Sequence, residues 1–293
     1  MNYKKMTNKN NIGLLTNYEQ IKSRERVNNH GEVLTPEWLV RDMLDLLPRG
    51  VSKIQSRYLE TSAGEGIFLV EILRRKLDTV FRMYNKASDR EFFTIVALCN
   101  IYGLELLKDN VEVIKIRLEM IVKDFFINKN NMTTSNIFFD IIKMILDINI
   151  INMDSMKFKE PVFDDDKQIM LNSNGGFIYK DELARISEWE FDYGNKKVKR
   201  IEYYYEDLVN KQKEEYLLKE QEKESVKKSD NIKLNEDCYI KKAKKYEQVS
   251  FLDNLNTNDE IKSNNKIKNI EKSILNPVRI FESVNYLKLL DLK

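Results

Sequence analysis

The chain has 293 residues, 42% apolar and 33% charged, with 49 lysines and arginines against 47 aspartates and glutamates and a formal net charge of +2. That length accommodates one substantial core with an appendage, and the near balance of charge excludes a global field drawing polyanions, so nucleic-acid binding has to come from local patches. Two cysteines (Cys99, Cys238) and one histidine (His30) exclude a disulfide framework and a multi-histidine metal site, and the lack of any signal-peptide or membrane-spanning apolar run gives the expectation of a cytoplasmic protein.

Residues 1–25 are polar and rich in Asn and Lys and read as a flexible arm. Thr35 is placed to cap a helix with Pro36 as its first residue, and Trp38, Leu39, Met43, Leu44, Leu46 and Leu47 recur at helical spacing, which predicts one buried face. Tyr58-Leu59-Glu60 predicts a short strand, Ser62–Gly66 a turn, and Ile67, Phe68, Val70, Glu71, Leu73 and Leu77 a helix to about Tyr84. Residues 94–106, TIVALCNIYGLEL, read as a second strand, split, with Ile101–Leu104 as its extended part. Residues 108–126 and 135–146 predict amphipathic helices, and NIINMD, residues 149–154, a third strand. Strand and helix alternating in this way predict an α/β fold with a parallel sheet, whose ligands lie at the carboxyl ends of the strands. Glu60, Glu105 and Asp154 fall at those three ends.

Beyond residue 155, aromatic and β-branched runs on either side of Gly194-Asn195 predict a hairpin. From Val209 the pattern is a charged helix with few apolar anchors, and residues 225–275 are rich in Lys, Asn, Asp and Glu. The expected organisation is an arm over 1–25, an α/β domain over 26–208 and a charged helical or disordered tail over 209–293. Two readings stand for the basic and aromatic run Lys196-Lys197, Lys199-Arg200, Tyr203–Tyr205: a track for a phosphate backbone, or the exposed face of a hairpin. Asp164-Asp165-Asp166 reads as a solvated loop rather than a metal site.

Gly64 and Gly66 let the backbone turn tightly and expose amides at a helix start, where a carboxylate or phosphate is favoured. Glu105, preceded by apolar residues and Gly103, is placed to accept hydrogen bonds from both hydroxyls of a ribose, and Asp154 to reach the edge of a base.

Four ordered segments resemble the cofactor-binding half of the class I methyltransferases that modify adenine in DNA, particularly the modification subunits of restriction systems and short phage or mobile-element members. They are Gly31-Glu32-Val33-Leu34-Thr35-Pro36, Glu60-Thr61-Ser62-Ala63-Gly64-Glu65-Gly66-Ile67-Phe68, IYGLELLKDNVEVIKIRL from Ile101, and NIINMDSM from Asn149. Leu34 stands where an aromatic is usual and Thr61 where proline is common. The resemblance implies a Rossmann-like methyltransferase sheet with flanking helices that binds S-adenosylmethionine through Thr35, Pro36, Glu60, Ser62, Gly64, Gly66, Phe68, Glu105 and Asp154. Within that set the amides around Gly64 and Gly66, with Thr35, would hold the methionine end, Glu105 the ribose and Asp154 the adenine. It also implies DNA and a specificity or restriction subunit as partners; the residues themselves give the expectation of no metal.

The family's catalytic loop, Asn/Asp-Pro-Pro-aromatic, orients the target amino group and stacks on the flipped base. No such tetrapeptide occurs: the four prolines are Pro36, Pro48, Pro161 and Pro277. NPVRIF, residues 276–281, has its first two letters but lies far along the chain, and LNSNGGF, residues 171–177, reads as a turn. The catalytic residues are therefore unknown, and the alternative is an inactive methyltransferase-like module acting with a partner. An NAD-binding oxidoreductase is disfavoured because G-x-G-x-x-G is absent.

Overall fold

The computed structural model describes residues 35–47, 50–229 and 275–292. His30, Gly31–Leu34, Cys238 and the arm over 1–25 lie outside those residues.

Pro36 fixes its own φ and lacks an amide, so the chain enters helix α1 (Glu37–Asp45) from an extended Pro36 at φ −62° and ψ 146°. Pro36, not Thr35, is thus the residue that precedes the helix, without a side-chain cap bond. The helical pattern starts one residue later than the sequence suggested, with Val40 N–H donating to Pro36 O at 3.1 Å. Val40 and Leu44 are buried, but Trp38, Met43 and Leu46 remain 63%, 45% and 84% exposed. The expected buried face is therefore narrower than its apolar arc, because α1 meets the core only along the line of Val40 and Leu44.

Strand β1 (Tyr58–Glu60) turns through Thr61–Gly66 into α2 (Ile67–Met83). The next stretch corrects the sequence reading: Ala87–Cys99 is helix α3, so the strand expected from Thr94 begins only at β2 (Ile101–Glu105). Phe92 and Ile95 to Cys99 are almost wholly inaccessible. A segment apolar on every side loses the amphipathic period that separates helix from strand. Helix α4 (Lys108–Lys123) runs on into a π-helical turn (Asp124–Lys129), and α5 (Phe138–Asn149) leads directly into β3 (Ile150–Asn152).

The three strands form one parallel sheet in the order β1-β2-β3, with Glu60 level with Gly103 and Glu105 level with Asn152. Helices α2 and α4 pack on each other and on the sheet, and α3 packs on α5. The fold is α/β, with mixed helices and sheets.

Two antiparallel units follow. Strands β4 (Lys159–Pro161) and β5 (Tyr179–Leu183) pair beyond the end of β3. The predicted hairpin is present as β6 (Arg185–Asp192) and β7 (Lys197–Tyr204), flanking Gly194-Asn195. Asn149 joins it to the main core: its Nδ2 donates to Leu98 O and Ile101 O at 3.1 Å each, and its Oδ1 accepts from Trp189 Nε1 at 2.9 Å. The charged helix also forms, as α6 (Tyr205–Ser229).

Residues 275–292 do not continue a polar tail. They supply β8 (Arg279–Ile280), β9 (Val284–Asn285) and a 3₁₀ helix (Tyr286–Leu292), and both strands pair with β7. Phe281, Tyr286 and Leu289 are buried, and Tyr286 OH donates to buried Glu91 at 3.1 Å. Among the described residues, no helix is long and apolar enough to cross a membrane.

Candidate functional site

The carboxyl ends of β1 and β2 carry the densest arrangement of sequence-selected residues. Gly64 and Gly66 adopt φ of 52° and 77°, the left-handed region that favours glycine. Gly66 has a second reason to lack a side chain: a Cβ there would lie 2.8 Å from Ile114 Cγ1 on α4. The glycine turn is thereby pressed against the helix that follows β2.

Glu105 ends β2 and is 7% exposed. Gly64 N–H donates to its Oε2 at 2.7 Å, while Oε1 accepts from Leu107 N–H at 3.0 Å and lies 3.4 Å from Nδ2 of buried Asn110. The acid expected to meet a ribose is thus fixed against the loop expected to cradle the cofactor. Gly66 N–H donates to Ala63 O at 2.7 Å. Both glycine amides expected to hold the methionine end are therefore bonded within the protein.

A buried ion pair, not anticipated from the sequence, clamps the same loop. Arg117 Nη2 lies 2.5 Å from Glu65 Oε2, and Arg117 Nη1 donates to Glu65 O at 2.9 Å. The available signal was a charge on the apolar face of α4, with Ile114 three residues before Arg117 and Leu118 and Ile121 after it. Such a residue is almost never buried unpaired.

Glu60 is half-buried at the end of β1, and burial raises its carboxyl above the ordinary value despite a bond from the Ser62 amide, which lowers it. Phe68 is partly buried on α2 and packs on the core. Thr35 and Pro36, also half-buried, open α1. Glu37 and Val40 of α1 line one small cleft with Ile67 of α2, so the two helix starts come together.

Asp154 lies two residues beyond the end of β3, next to Met153, whose N–H donates to Glu105 O at 2.9 Å. Strand β3 ends at Asn152, whose Nδ2 donates to Glu105 O and Leu106 O at 2.9 Å each. Asp154 sits in the following turn, where its Oδ1 accepts from Met156 N–H at 2.8 Å and Lys157 N–H at 3.1 Å. Its Oδ2 accepts from Tyr179 OH at 2.5 Å, and burial followed by this bond pushes the Tyr179 hydroxyl upward. Asp154 therefore closes a turn and anchors β5, and the sequence signal for strand end was displaced by two residues.

The remaining candidates resolve structurally. Asn276-Pro277 leads into β8, inside the antiparallel sheet. Residues 171–177 form a turn in which Asn172 Oδ1 accepts from Asn174 and Gly176 amides. Asp164, Asp165 and Asp166 are exposed. Among the described residues no group of three or more His, Cys, Asp or Glu could hold a metal ion. In the basic run, Lys196 pairs with Asp89 at 2.6 Å and Lys199 with Glu190 at 2.9 Å, and Arg200 bonds Glu202 and lies over the Phe281 ring. Those three cations are matched by acids within the fold, which disfavours a phosphate track, while buried Arg200 and Tyr205 show that the run is not simply an exposed hairpin face. No protein-family model, no curated protein and no solved structure matches this chain.

Proposed function

We propose that the carboxyl ends of β1 and β2 bind the adenosyl part of S-adenosylmethionine, and that the chain is the cofactor-binding part of an adenine-specific DNA methyltransferase of the restriction-modification type. One observation carries this reading: buried Glu105 at the end of the middle strand, 2.7 Å from the Gly64 amide of the glycine turn. A ribose diol donating to Glu105 would lie directly over that turn. The strand order supports a Rossmann-like sheet, since β3-β2-β1 is one half of the common doubly wound order and ligands in such sheets sit outside the carboxyl ends.

The donor set suits the nucleoside better than the amino-acid end. Glu105 is an acceptor for hydroxyl protons, whereas the Gly64 and Gly66 amides already donate to Glu105 and Ala63. Affinity in this reading comes mainly from the adenosyl half. When bound, the cofactor would supply the electrophilic methyl group. Arg117 and Glu65 hold the loop in place, and Asn110 and the Leu107 amide hold Glu105.

A second reading is favoured by the absence of an Asn/Asp-Pro-Pro-aromatic sequence: the chain is a non-catalytic methyltransferase-like module, and a partner such as a specificity or restriction subunit supplies the contacts to the DNA base. Poor positioning of the attacking nitrogen costs orders of magnitude in effective molarity, so the chain alone should transfer no measurable methyl group to DNA.

Calorimetric titration with S-adenosylmethionine and with adenosine tests the binding claim. Adenosine should retain most of the binding free energy, and Glu105→Ala should weaken both ligands by ~1–3 kcal/mol. No heat from wild-type protein at millimolar ligand rejects the cofactor reading. Robust turnover on mixed-sequence DNA rejects the non-catalytic one.

A further inference from the structure

The opposite end of the sheet, where the strands begin, holds a cavity of about 300 Å³ lined by Gln55, Arg57, Asn100, Trp189, Phe191 and Tyr193, with Glu190 at its rim. Five residues of β2 separate Asn100 from the end at Glu105, roughly 16 Å at ~3.3 Å per residue, so this cavity is distinct from the site described above. Its base is built: Arg57, Asn100 and Trp189 are 8%, 3% and 1% exposed.

The chemistry of the lining is specific. Arg57 is paired with Glu188 at 2.9 Å, and Glu190 with Lys199 at 2.9 Å. The cavity is therefore close to neutral and is poorly suited to a phosphate or carboxylate. Asn100 Nδ2 donates to Val96 O at 2.7 Å, which turns the amide so that its Oδ1 remains an acceptor. Gln55, exposed at the mouth, offers both amide functions.

The aromatic side is a cluster that reaches the cavity through Phe191 and Tyr193. Tyr84 and Phe93 lie parallel at 3.9 Å, and Phe93 and Tyr193 are within 9° of parallel at 6.1 Å. Tyr193, also tilted 30° against Phe191 and edge-on to Phe92, is 44% exposed and lines the cavity. A flat ring entering there would meet Tyr193.

We infer that this cavity is a binding site for a neutral, planar heterocycle with adjacent hydrogen-bond donor and acceptor, that is, a nucleobase stacked on Tyr193 with its polar edge toward Gln55 and Asn100. Cavities of this size lie at the small end of those that hold ligands, which suits a base or nucleoside. The base could be delivered as a free nucleoside or as an unstacked base of a single strand, and the recognition chemistry is the same. The inference stands on the cavity alone and does not depend on S-adenosylmethionine binding at the other end.

Trp189 lines the cavity and Trp38 is the other tryptophan. A Trp38→Phe protein therefore reports on the cavity by fluorescence. Titration with adenosine, guanosine, cytidine and uridine should show saturable quenching by at least one of them. Base stacking on an aromatic side chain predicts that Tyr193→Ala weakens that binding at least about fivefold. Gln55→Ala, a change at an exposed position, should weaken it while leaving the melting temperature unchanged, and Glu105→Ala should leave it unaltered. A single-stranded oligonucleotide binding more tightly per base than the nucleoside identifies nucleic acid as the source, and equal or weaker binding identifies the free nucleoside. No quenching by any nucleoside or oligonucleotide at millimolar concentration overturns the inference, as does quenching that Tyr193→Ala leaves intact.

Discussion

Gly66 shows how one residue can serve two constraints at once. It takes a left-handed φ to start α2 and leaves room for Ile114, so an alanine there meets both backbone strain of ~1–2 kcal/mol and overpacking of ~1–3 kcal/mol. Gly66→Ala should lower unfolding free energy by ~2–4 kcal/mol in a denaturant titration, and the Gly66→Ala/Ile114→Ala double variant should lose less than the sum of the two single changes. Strict additivity would show that the contact is not tight. Glu60 gives a pH signature. Burial raises its folded-state pKa above the ordinary 4.5, so the folded protein binds more protons than the unfolded chain between 4.5 and the raised value. Its contribution to stability is fully present below 4.5 and is lost as pH rises through the folded value. Relative to Glu60→Gln, the wild type should therefore lose stability across that window and level off above it, and parallel pH profiles for the two proteins would contradict this.

At the scale of elements, α4 is more than a crossover helix, because Arg117 carries the glycine turn through Glu65. Breaking a buried ion pair leaves one charge unmatched, typically at ~3–5 kcal/mol, while replacing both partners with apolar groups is far less damaging. Arg117→Ala should thus destabilise by about that amount, and Glu65→Leu/Arg117→Met by much less, as read from chemical denaturation. The C-terminal segment makes a parallel point. Phe281 is 7% exposed under Arg200, and Phe281→Ala should cost ~3–5 kcal/mol, whereas a segment detached from the fold would tolerate the change. The sequence could show the helices over 108–126 and 135–146, since each alternates buried and exposed positions at helical period. It could also show β1, β3 and the hairpin. It misplaced Thr94–Cys99, where burial on all sides erased the period. It could not show β8 and β9 either, because pairing Ile201 with Ile280 joins residues that share no local signal.

For the whole molecule, the parallel sheet presents two ends with different chemistry. At the carboxyl end, the positions of Glu60, Gly64, Gly66 and Glu105 were legible from residue type and order. Their bonds were not: that Glu105 meets the Gly64 amide, and that Asp154 accepts from Tyr179, follows only from how β2, β3 and β5 pack. At the amino end, Arg57, Asn100 and Tyr193 come together from three distant segments, and no motif marks them. The central claim is that an adenosyl ligand docks on Glu105 beside the glycine turn, and amide NMR on addition of S-adenosylmethionine tests it most directly. The Gly64 and Leu107 amides, which donate to Glu105, should show the largest saturable shifts, and Glu105→Ala should remove them. Saturable shifts confined to other amides, or none at millimolar ligand, would contradict the assignment.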